Sequence, residues 1–110
     1  MAEAQGRKTT TKNHMKTLLK TSNYQDWESS LRDRRALFHV VTRVNRLANG
    51  NAGDVKPVGE GVSEMRIHYG PGYRVYFKTR GEEVIVLLVG GDKGSQQRDI
   101  ALAKALAANF

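Results

Sequence analysis

Val84 to Val89 are six consecutive apolar residues, mostly β-branched, which predicts a central strand buried on both faces. The run stops at Gly90-Gly91-Asp92-Lys93. Before it, two stretches alternate apolar and polar residues around Gly70-Pro71-Gly72, as the strands of a hairpin do. Met65 and Ile67 lie on one side of the first strand, with Glu64, Arg66 and His68 on the other. Tyr73, Val75 and Phe77 form the apolar set of the second, with Arg74, Tyr76 and Lys78 as its polar set. The Arg80-Gly81-Glu82 turn is short enough to make the second and third strands antiparallel neighbours.

Upstream, Lys16 to Lys20 reads as a short first strand. Ser22 with Gln25 fits a capping box, with Asn23 a rival cap, and Tyr24, Trp27 and Leu31 fall on one face of the helix that follows. Asp33 caps a second helix, in which Leu37, Val40, Val41, Val44, Leu47 and Ala48 repeat with helical period until Asn49-Gly50 ends it. Asn51 to Gly61 is rich in glycine and proline and reads as a loop. Asp99 to about Ala108 is a C-terminal helix with Ile100, Leu102, Ala103 and Leu106 on its stripe. The expected order is β-α-α-β-β-β-α: an α+β fold with two N-terminal helices packed on a small, mainly antiparallel sheet.

The 110 residues suffice for one two-layer core, so residues 15–110 are expected to form a single domain, preceded at 1–14 by a disordered basic extension or tag. The chain has no cysteine, which removes disulfides, thiolate-bound zinc and thiol nucleophiles and fits a cytoplasmic setting. No apolar run is long enough for a signal peptide or membrane span, so no membrane partner is expected. The net charge of +7 points toward an acidic partner, although residues 1–20 alone hold five Lys/Arg against one Glu, more than half of the excess.

The polar side of the hairpin carries the chemistry. Cutting RNA without a metal needs a group to activate the 2′-hydroxyl, a proton for the leaving 5′-oxygen and cations for the charged phosphorane. His68 can move a proton near neutral pH. Arg66 and Arg74, on adjacent strands, can grip phosphate with their planar forks; the plain alternative is two surface arginines pairing with Glu64 or Glu83. Tyr76 can stack on an unpaired base or simply pack. Lys93, just past the paired glycines, can project into a cleft, although the spacing of a P-loop is absent. On the second helix Arg35, His39, Arg43 and Arg46 form a basic row suited to a nucleic-acid backbone, or an ordinary solvated face. Lys78 extends the basic set on the sheet. No metal site and no cofactor is expected.

GDVKPVGEGVSEMRIHYGPGYRVYF and VIVLLVGGDKGSQQRDI, with WESSLRDRRA upstream, resemble the toxins of the RelE/ParE superfamily, and within it the HigB-like, phage-related addiction module killer proteins. The resemblance spans roughly Met15 to Ala107. It implies helices on one face of a sheet whose concave other face is the active site. It implies a small helix-turn-helix antitoxin as cognate partner, with operator DNA reached only through the complex. It also implies an mRNA endonuclease acting on the ribosome, or a gyrase inhibitor as in ParE relatives, or a nontoxic regulator that binds only its antitoxin and DNA. The arginine of the family's GYR strand falls on Arg74 and the basic residue after its last strand on Lys93; Arg66 and His68 match the preceding strand. Several ribosome-dependent members place a tyrosine or histidine near the C-terminus, where this chain has only Phe110 as an aromatic.

Overall fold

The structure, a computed structural model, describes residues 15–110; the extension expected at 1–14 lies outside the described residues. Five strands form one mixed sheet in the order β1-β5-β4-β3-β2. They are β1 (Thr17–Lys20), β2 (Val55–Gly59), β3 (Val62–Ile67), β4 (Tyr73–Arg80) and β5 (Val84–Asp92), joined by helices α1 (Ser22–Ser30), α2 (Arg34–Ala48) and α3 (Gln96–Ala107). β1 runs parallel to β5 and every other pairing is antiparallel.

The α+β class and the leading strand and helix pair are as expected; the order differs by one strand. Val55–Gly59, expected within a loop, pairs with β3 as an edge strand. Pro57 is tolerated there because an edge strand need not use every N–H, and the register slips between Pro57 and Gly59. A hairpin partner supplies the order that the segment's own composition does not. Gly59, Glu60 and Gly61 all have positive φ in the turn that follows.

α1 and α2 cover one face of the sheet. Tyr24, Val40, Val44 and Leu47 pack there against Met65, Ile67, Val75, Phe77, Ile85 and Leu87. Two details of the expected helices change. The N-cap of α1 is Thr21, whose Oγ1 accepts the Tyr24 N–H at 3.0 Å, and not Ser22. Val41 is exposed while the rest of its expected stripe is turned inward to differing degrees. Asp33 caps α2 as anticipated, accepting the Arg35 and Ala36 N–H groups.

α3 lies across the other face. Ala103 and Ala107 are buried against Val62, Tyr76, Val86, Leu88 and Val89, whereas Leu102, expected in the stripe, is exposed. The face anticipated as an open concave surface is therefore half roofed. The end of the sheet near Arg66 and Arg74 stays uncovered and forms a cleft.

A β-bulge shapes that end. Tyr76 pairs with Val89 but Phe77 pairs with Leu87, which leaves Leu88 as an extra residue in β5. The Leu88 carbonyl is taken by the Thr21 hydroxyl at 2.6 Å. Leu88 and Val89 both face α3, so the alternation of β5 is reset, and Gly90 faces α1 while Gly91 faces α3. The space over the glycine pair is filled by the protein itself: Trp27 packs on Gly90, and Asp99 with Ser95 packs on Gly91.

Candidate anion-binding site

At the uncovered end, Arg66 and Arg74 stand directly opposite one another across β3 and β4, with Gly91 next to Arg74 on β5. The turn of Gly70, Pro71 and Gly72 forms a rim, and Lys93 closes the side. The result is a cleft of about 320 Å³ lined by Arg66, His68, Arg74 and Lys93. These four are the residues singled out first from the sequence, and the structure brings them together.

Like charges facing each other across a strand pair repel. Glu64 resolves this. Its side chain is fully buried, two residues before Arg66 on the same face of β3. Oε1 accepts Arg66 Nε at 2.9 Å, and Oε2 accepts the Tyr76 hydroxyl at 3.1 Å and Gln96 Nε2 at 2.8 Å. Arg74 Nε lies 3.5 Å from Oε2 and has no hydrogen-bond partner of its own, while its Nη1 reaches the Gly72 carbonyl at 3.4 Å. Burial pushes the Glu64 carboxyl up, but hydrogen bonds from Arg66, Gln96 and Tyr76 and the charge of Arg74 outweigh it, holding the group below its ordinary value.

That direction sets an acid limit. A carboxyl with a folded pKa below its unfolded value near 4.5 contributes stability in full above that value and loses it as pH falls through the folded pKa. Thermal unfolding followed from pH 6 to pH 3 is expected to show a steeper acid loss in the wild type than in Glu64→Gln; equal slopes would contradict the ionised, buried carboxylate.

His68 is largely exposed, with Nε2 2.6 Å from Oδ2 of Asp54. The hydrogen bond from His68 holds the Asp54 carboxyl below its usual range. With Asp54 ionised, Nε2 is the donor, so a neutral ring keeps its lone pair on Nδ1. The Asp54 carbonyl also accepts the Arg66 N–H at 2.9 Å, which ties this acid to the cleft.

Three expected contributors have other work. Tyr76 is completely buried and donates to Glu64; burial, with that carboxylate beside it, raises its phenol well above the usual value, and no base can stack on it. Lys78 Nζ donates to the Ala107 carbonyl at 3.1 Å, at the C-terminal end of α3, where a cation also suits the helix dipole. Arg43 donates from Nη1 to the Arg66 carbonyl and from Nη2 to the Ala52 carbonyl, bracing the cleft from behind. Arg35 and Arg46 are exposed on α2, on the opposite side of the sheet from the cleft, and His39 stacks on Tyr69 at 4.5 Å. The basic row is thus divided between bracing and surface.

Asp54 and Gln96 were not legible as site residues, and Glu64 was legible only as a pairing partner for the two arginines. Glu64 carried one signal, its position on the same strand face as Arg66; Asp54 and Gln96 lie 14 and 32 residues from their partners and carried none. Among the described residues no helix is long and apolar enough to cross a membrane.

No family model matches the sequence. The chain is 45% identical over 87 residues to an uncharacterized protein of Haemophilus influenzae, an alignment that covers 79% of this chain and 88% of that one.

Proposed function

We infer that this chain, which belongs to one family with the Haemophilus influenzae protein, is a HigB-like toxin of the RelE/ParE superfamily that cuts mRNA on the ribosome without a metal. The observation that carries this reading is the cleft in which Arg66, Arg74 and Lys93 converge beside a histidine held by a carboxylate. Two helices on one face of a mainly antiparallel sheet, with the cleft on the other, suit the RelE-like arrangement the motifs lead one to expect.

In this reading the guanidinium groups of Arg66 and Arg74 hold the scissile phosphodiester and offset the charge that builds on the phosphorane. The 2′-oxygen attacks phosphorus, its proton passes to Nδ1 of His68, and the bond from phosphorus to the 5′-oxygen breaks. Lys93 returns a proton to that oxygen, since the arginines stay charged and cannot donate one. The products are a 2′,3′-cyclic phosphate and a 5′-hydroxyl. A helix-turn-helix antitoxin is the proposed cognate partner, and it carries the toxin to operator DNA.

Primer extension on a reporter mRNA after induction, run beside a gyrase supercoiling assay, tests the reading. Discrete new 5′ ends on translated mRNA with supercoiling unchanged are expected. Intact mRNA with blocked supercoiling would replace the nuclease by a gyrase inhibitor, and no growth effect at all would leave a regulator.

A further inference from the structure

We propose that Glu64 is a positioning residue of this cleft: one buried carboxylate that aims two opposed arginines, and the start of α3, at a single phosphate. The inference rests on the nuclease reading for its substrate, but the geometry stands apart from it. Glu64 meets groups from three elements: Arg66 on β3, Arg74 and Tyr76 on β4, and Gln96 at the beginning of α3.

Each contact has a consequence. Arg66 is held through Nε, on the stem side of its fork, and Arg74 presents its own Nε to the same carboxylate. The outer edge of a guanidinium, Nη1 with Nη2, is then the edge left to meet a phosphate bidentately. Gln96, which follows the Lys93–Ser95 turn, donates its side chain to Glu64 and its backbone N–H to the Lys93 carbonyl, so the backbone that carries Lys93 is tied to the same centre. Tyr76 supplies a hydroxyl from the core and fixes the carboxylate's own orientation.

One negative charge among Arg66, Arg74 and Lys93 leaves the cleft cationic. Glu64 therefore lets the two arginines share a site while leaving the excess charge that attracts the substrate.

The test uses the full chain and Glu64→Gln, with Tyr76→Phe as a milder variant that keeps the ring in the core and removes one donor to the carboxylate. In nitrogen-15 spectra, the Nε–H signals of Arg66 and Arg74 are expected to exchange slowly with solvent in the wild type. They should exchange at least tenfold faster in Glu64→Gln and by an intermediate factor in Tyr76→Phe. On programmed ribosomes, kcat should fall at least thirtyfold in Glu64→Gln, while affinity for a short 2′-O-methyl RNA changes by less than threefold, because the cations remain but are no longer aimed. Glu64→Asp, with the charge kept on a shorter stem, should recover part of kcat. Wild-type exchange and kcat in a folded Glu64→Gln would overturn the proposal, as would wild-type exchange in Tyr76→Phe if Glu64→Gln does not fold. If the wild type cuts nothing, the nuclease reading fails, and the exchange rates still decide whether Glu64 orders the arginines.

Discussion

Gly90→Ala is expected to lower stability by about 3 kcal/mol, the upper end of the cost of overpacking a filled core. A Cβ at this position would overlap Cε3, Cδ2 and Cζ3 of Trp27. The indole cannot simply swing away, because it packs against Tyr24 at 5.7 Å and Tyr73 at 6.1 Å between ring centroids. Moving it means moving α1 off β5, or moving β5 and with it the bulge at Leu88. Thermal unfolding should show Tm lower by on the order of 15 °C. A change of less than about 2 °C would mean that Trp27 has room the packing does not show, and that the glycine pair serves something other than the protein's own interior.

If the protein is the nuclease proposed above, Arg74→Ala is expected to abolish growth arrest and to reduce cleavage on the ribosome by about 10²–10³-fold, the usual loss when one donor to a developing anionic charge is removed. The reason is its place. Arg74 sits at the centre of the sheet end, paired with Arg66 on one side and with Gly91 on the other. It is about nine-tenths buried, so its direction is set by packing rather than by solvent. Its Nε is buried facing Glu64 Oε2 at 3.5 Å, which leaves the Nη1 and Nη2 edge for a phosphate. Glu64 keeps three hydrogen-bond donors without Arg74, so the variant should still fold. Arg74→Lys keeps the charge but loses the planar fork, and most of the activity should stay lost. Full toxicity in a folded Arg74→Ala would remove the cleft from the mechanism.

The contrast between these positions shows where sequence reading works. Arg66, His68, Arg74 and Lys93 could be assembled from alternation along a hairpin and from a strand end, because β geometry places every second residue on one face whatever surrounds it. Tyr76 obeyed the same alternation, and of its two readings, stacking on a base or packing, the structure shows packing. It lies on the face of Arg74, but α3 covers that part of the sheet, and no periodicity within the hairpin reports where a helix twenty residues later will lie. Lys78 failed for the same reason, since its partner is the last turn of α3. Val55–Gly59 was missed because a strand at an edge takes its order from its neighbour, and its own residues give little sign of it.

By itself the sequence determined the α+β class, the buried course of β5, the two-helix layer and the set of cations at one end of a hairpin, because hydrophobic period and turn chemistry are local properties. Tertiary structure decided which face of the sheet stays open, through the seating of α3 on Ala103 and Ala107. It also decided what the glycine pair is for, through the bulge at Leu88 that turns Gly90 to Trp27 and Gly91 to Asp99. Above all it decided that Glu64 lies among Arg66, Arg74, Tyr76 and Gln96. A buried charge is tolerable only where several distant donors converge on it, and that convergence exists only once the chain has folded.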